Sequence, residues 1–67
     1  MRTTERGERP RLARGDRIVR EMENLQPVEG TVLAVKAGAS EWFVEWVEDS
    51  SGMAYATSAS AISRQER

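Results

Sequence analysis

The sequence predicts a small all-β domain, a five-stranded barrel spanning residues 15–63, with a disordered arginine-rich arm at 1–14 and a polar tail at 64–67. Three observations predict it. Short apolar runs rich in β-branched and aromatic residues recur along the chain. Clusters of Gly, Ser, Asp and Pro separate them at roughly ten-residue spacing. The chain of 67 residues is too short for more than one domain.

Taken in order, Met1–Arg14 has only Met1, Leu12 and Ala13 as apolar side chains, with Gly7 and Pro10 as breakers. So polar a segment buries too little apolar surface to offset its ordering entropy, and disorder is expected. Gly15-Asp16 then reads as a turn leading into Arg17-Ile18-Val19-Arg20, a first strand. A helix over 17–25 is the rival, because Ile18, Met22 and Leu25 also lie at helical spacing and Asp16 suits a cap. The β-branched pair Ile18-Val19 and the preceding Gly15 favour the strand.

Asn24-Leu25-Gln26-Pro27 reads as a loop, Thr31–Val35 as a second strand and Lys36–Ser40 as a turn. Glu41–Val47 is the clearest strand of the chain, with Trp42, Phe43, Val44, Trp46 and Val47 in seven positions. Glu48–Gly52 supplies the next turn and Met53–Thr57 a fourth strand. Ser58–Ser60 suits a turn, followed by a one- or two-bridge strand at Ala61-Ile62.

Period two places Trp42, Val44 and Trp46 on one face of the third strand and Phe43, Glu45 and Val47 on the other. Both faces are apolar, whereas a small domain has one core. Either Trp42 and Trp46 fill that core, leaving Phe43 and Val47 as an outward strip suited to self-association, or the indoles flank a ligand. Four residues apart they stand about 13 Å from one another, a spacing compatible with an aromatic cage for a flat or cationic group. Core filling is the simpler reading. Trp42, Phe43, Trp46, Val47 and, on the fourth strand, Tyr55 are the candidate binding residues.

Charge is divided. Residues 1–14 carry Arg2, Arg6, Arg9, Arg11 and Arg14 against Glu5 and Glu8, a balance of +3, while residues 15–67 carry five basic and nine acidic side chains, a balance of −4. An acidic body is a poor phosphate binder, so nucleic acid could be met only through the arm, at Arg6, Arg9, Arg11 and Arg14. A solvated tail is the simpler account of that arm, since its glutamates dilute the field.

The chain has no Cys and no His. Disulfides and ordinary zinc sites are thereby excluded, and a nucleophile would have no His to activate it. No phosphate-cradling glycine pattern occurs, and no catalytic residue, cofactor or metal is implied. The N-terminus has no apolar run of the signal-peptide kind, and nothing approaches the roughly 18 apolar residues of a membrane span, so a cytoplasmic protein without membrane contact is expected.

Gly15-Asp16-Arg17-Ile18, Glu29-Gly30-Thr31-Val32, Val44-Glu45-Trp46 and the terminal Ala61-Ile62 together resemble Src-homology-3-like barrels of the Tudor and KOW kind. That resemblance covers residues 15–64 and implies a binding module for peptides, modified side chains, RNA or other proteins. Gly15–Ile18, Gly30-x-Val32 and Ala61–Arg64 are also similar to the plasmid-borne type II dihydrofolate reductases, which implies a pterin- and NADPH-binding tetramer. In that family the pore strand reads Val-Gln-Ile-Tyr, where this chain has Met53–Thr57, and the pore lysine falls near Arg20. The expected function is accordingly a non-enzymatic module that binds a protein or peptide and forms a homo-oligomer. The reductase and a nucleic-acid adaptor are the alternatives.

Overall fold

A computed structural model describes residues 7–21 and 25–65. Five strands follow in chain order: β1 (Arg17–Arg20), β2 (Val28–Ala37), β3 (Trp42–Glu48), β4 (Ala54–Ser58) and β5 (Ile62–Arg64). A single 3-10 turn, Ala59–Ala61, joins β4 to β5. All pairings are antiparallel, in the order β4-β3-β2-β1-β5.

The strand content matches the alternation of the sequence, and residues 17–20 are strand rather than helix. Met22–Asn24, which the rival helix required, lie outside the described residues. β2 is longer than the Thr31–Val35 run, because Val28, Glu29 and Gly30 pair with Arg20, Val19 and Ile18.

The expected barrel is not formed. β4 pairs only with β3 and β5 only with β1, so the sheet keeps two margins and does not close. Closure requires a ladder joining first and last strands at a fixed tilt and stagger. Here the chain leaves β4 at Ser58, whose side chain accepts the Ser60 N–H, and its three-residue successor spends its pairing on β1. The resemblance to Src-homology-3-like, Tudor and KOW barrels, and the weaker one to type II dihydrofolate reductases, therefore lose their architectural ground.

One face of the sheet carries the core, made of Ile18, Val32, Val44 and Trp46, all at most 2% exposed. Leu12, Val28, Val35, Ala59 and Ile62 pack around it. Gly30 lies under Trp46, where a Cβ would come within 2.5 Å of the indole and 2.4 Å of the Val47 carbonyl. Only a residue without a side chain lets the ring approach β2 so closely. A β-bulge interrupts the β2–β3 ladder between Val32 and Ala34, leaving Leu33 as the extra residue.

The opposite face carries Phe43, Glu45 and Val47, all half-buried. Glu45 pairs with Lys36 at 3.2 Å. Arg17 donates to Thr31 Oγ1 at 2.6 Å and to both carboxylate oxygens of Asp49. The hydrogen bonds that Arg17 donates to Asp49 hold the Asp49 carboxyl below its ordinary range and raise the Arg17 guanidinium above its own.

The described part of the arm runs along one end of the core face. Leu12 packs against the core, and the Ala13 N–H donates to Asp16 Oδ2 at 3.0 Å. The Asp16 N–H returns a bond to the Ala13 carbonyl at 2.9 Å, closing a turn before β1.

Candidate functional site

Four strands contribute to a cleft of about 140 Å³ lined by Arg20, Val28, Trp46, Glu48 and Tyr55. Their register explains the convergence. Arg20 faces Val28 across β1 and β2, Gly30 faces Glu48 across β2 and β3, and Trp46 faces Tyr55 across β3 and β4. Since alternate residues of a strand share a face, all five lining residues lie on the core side of the sheet.

Two aromatic rings form one wall. The Tyr55 ring lies 5.4 Å from that of Trp46, with their planes inclined by 37°. Such a tilted pair has favourable quadrupole contact. Trp46 is fixed from its other end, its Nε1–H donating to Thr57 Oγ1 at 3.0 Å. Tyr55 remains 42% exposed, so its ring joins the core to the surface.

The polar groups of the cleft are unequally satisfied. Glu48 accepts a hydrogen bond from the Ser51 hydroxyl. The Arg20 Nε is buried and has no hydrogen-bond partner among the described residues. A buried donor left unpaired costs about 1–3 kcal/mol relative to a paired one. The cleft thus combines an apolar and aromatic wall with one unsatisfied cationic donor. With the Glu48 carboxylate, the lining holds one cationic and one anionic side chain on an otherwise largely apolar wall.

Beside the cleft runs the outer margin of β4. Met53–Ser58 contains no charged residue and no proline, and Met53 is 55% exposed. Sheet margins in natural proteins are ordinarily guarded by charge, proline or a covering element. In an antiparallel pair only alternate residues direct their backbone groups inward, so β4 turns N–H and C=O groups outward where, among the described residues, no strand pairs with them.

The five candidate binding residues are thus distributed over different surroundings. Trp46 is core and Tyr55 is the exposed edge of the cleft. Phe43 and Val47 lie on the opposite face, with the Phe43 ring against Gly38. Trp42 stands half-buried at the far end of β3, where its Nε1–H donates to the Gly7 carbonyl at 3.1 Å and the Arg9 guanidinium lies 5.5 Å from its ring centroid. The two indoles do not form an open pair, because Trp46 is 2% exposed. Of the arm arginines, Arg9 stacks on Trp42, Arg11 and Arg14 are exposed, and Arg6 lies outside the described residues.

Sequence reasoning passed over Val28, read Glu48 with Glu41 and Glu45 as solvated edge carboxylates, and singled out Arg20 only through a resemblance. No local signal marks them, since they meet only through strand register. Among the described residues, no group of His, Cys, Asp or Glu is arranged to hold a metal ion, and no helix is long and apolar enough to cross a membrane. Comparison of the chain with protein-family models, with curated proteins and with solved structures gives no match.

Proposed function

We propose that this chain is a non-enzymatic interaction module that binds a protein or peptide partner as an added strand along β4. The observation that carries the reading is the juxtaposition of an unguarded β4 margin with the cleft holding the unsatisfied Arg20 donor. Strand addition draws affinity from main-chain hydrogen bonds and specificity from pockets for alternate side chains. Both elements are adjacent here. A partner strand beside β4 would set one side chain next to Tyr55, and a long side chain from it would extend over the cleft toward Arg20.

A second reading, self-association, draws on the opposite face. Phe43 and Val47 are half-buried there, although among the described residues no second layer covers that side of the sheet.

Peptides selected from a random display library against the whole chain test the first reading. A bound peptide should slow amide exchange along residues 54–58 and shift the Tyr55 ring resonances. Tyr55→Ala and Arg20→Gln should each weaken it by about tenfold or more, equivalent to losing about 1.4 kcal/mol. Methylating alternate peptide amides should do the same if the backbone forms a ladder. Protection confined to β5 or to the Phe43 face, or indifference to all three changes, would overturn the proposal.

A further inference from the structure

The described arm residues are held by a second surface, separate from the β4 cleft. Three contacts in succession engage it. Trp42 Nε1–H donates to the Gly7 carbonyl, the Arg9 guanidinium lies over the Trp42 ring, and Pro10 enters the wall of a cavity shared with Trp42. That cavity, about 250 Å³, is also lined by Glu8 of the arm and by Glu41, Ser58, Ala59 and Ser60. Leu12 then drops onto the core, and the Ala13–Asp16 turn fixes the point where the segment joins β1.

None of these contacts depends on the segment belonging to the same chain. The indole donor reads a main-chain carbonyl, which any peptide supplies. The ring face reads a guanidinium, for which cation–π attraction is worth about 0.5–1 kcal/mol at an exposed site. Proline after Arg9 biases Arg9 toward extended backbone, which keeps carbonyl and guanidinium in line along the groove. The acidic Glu41 at the wall and the net −4 of residues 15–67 complement a basic segment. Space remains beside Pro10, so the described arm residues do not fill the cavity.

We infer that the Trp42 groove is a recognition site for an extended, arginine-bearing peptide segment, and that residues 7–12 of this chain occupy it in cis. Tethering supplies an effective concentration of order millimolar for a short linker. A free segment of the same sequence therefore competes poorly with the intact arm and binds well only when the arm's own anchors are removed. The groove is regulated by its resident: any change that lifts residues 7–12 makes it available to another chain.

The test uses the full-length chain carrying Arg9→Glu and Pro10→Gly, and the synthetic peptide Gly-Glu-Arg-Pro-Arg-Leu-Ala as probe. Two indole N–H resonances are followed by NMR, that of Trp42 being assigned by Trp42→Phe. The Trp46 signal, fixed by Thr57, reports that the fold is intact. In the wild type the Trp42 indole should exchange slowly and respond weakly to peptide. In the double variant it should exchange at least about tenfold faster, and added peptide should restore its position saturably, with an apparent affinity at least about tenfold tighter than for the wild type. A Trp42 signal identical in both proteins would overturn the inference. So would failure of the variant to bind peptide at millimolar concentration, or equal binding of a peptide with its first arginine replaced by alanine.

Discussion

Arg17 on β1 grips both carboxylate oxygens of Asp49, which lies 32 positions later in the turn after β3. It also donates to Thr31 on β2, so one guanidinium ties two strands and a turn on the face opposite the core. Both partners are substantially exposed, and the contribution to stability is correspondingly modest and sensitive to salt.

The sign of its pH dependence follows from the depressed Asp49 carboxyl. A carboxylate held below its unfolded pKa stabilises the fold at pH values above that unfolded value, near ~3.9, and loses the contribution as pH falls through its folded pKa. Asp49→Asn should therefore lower the melting temperature at neutral pH, with the difference from wild type vanishing in acid. Parallel melts from pH 7 to pH 2 check this, and a difference that persists undiminished in acid would remove the ion pair as its cause.

Gly30→Ala should cost about 1–3 kcal/mol, the usual range for forcing extra atoms into a packed site. The added Cβ would meet backbone at the Val47 carbonyl as well as the Trp46 ring, so rotation of a side chain cannot relieve it. Urea unfolding followed by tryptophan fluorescence measures the loss. A neutral substitution would show that the ring is not seated over β2.

Thr57→Val keeps the shape of the residue but leaves the Trp46 indole N–H without its acceptor. The expected loss is about 1–3 kcal/mol. In a Trp46→Phe background the same change should cost far less, since no indole donor remains to be orphaned. Equal losses in the two backgrounds would show that the hydrogen bond does not hold the ring.

Self-association through the outward face is tested with Phe43→Ser and Val47→Thr together. Burying a Phe or Val side chain is worth roughly 1.5–3 kcal/mol, and a symmetric contact would use the strip twice. Sedimentation should give a larger species for the wild type and a smaller one for the variant, with the β circular-dichroism signature retained. A wild type that is monomeric at high micromolar concentration would exclude this contact.

Strand positions were legible because turn chemistry and β-branched residues mark them locally. Ile18-Val19 between Asp16 and the Asn24–Pro27 loop, and the aromatic run from Trp42, are examples. Closure was not legible: local patterns count strands, whereas meeting of the two margins depends on tilt and stagger summed over the sheet. Leu12 looked like an isolated apolar residue in a polar arm, and nothing beside it signals its place against the core. Val28 falls between the Asn24–Pro27 loop and the Thr31–Val35 run with no local signal of its own, because its strand partner, Arg20, lies on another segment. The aromatic cage suggested by Trp42 and Trp46 failed for a related reason. Spacing along one strand fixes the face of each indole but not how deeply each is covered, and the two end in different surroundings.

The bulge in β2 has a bearing on chain length. Val28, Gly30 and Val32 face the core at even positions, yet so does Val35, because Leu33 shifts the strand by one step. Leu33 is therefore a position where β2 can lose a residue without changing phase: Ala34 would still meet Glu45 and Val35 would still meet Val44, on a straighter strand. Removing Val35 instead would advance Lys36 into its place and turn an ammonium toward Val44. Two deletions two residues apart thus differ in kind, one altering curvature and the other turning the strand inside out.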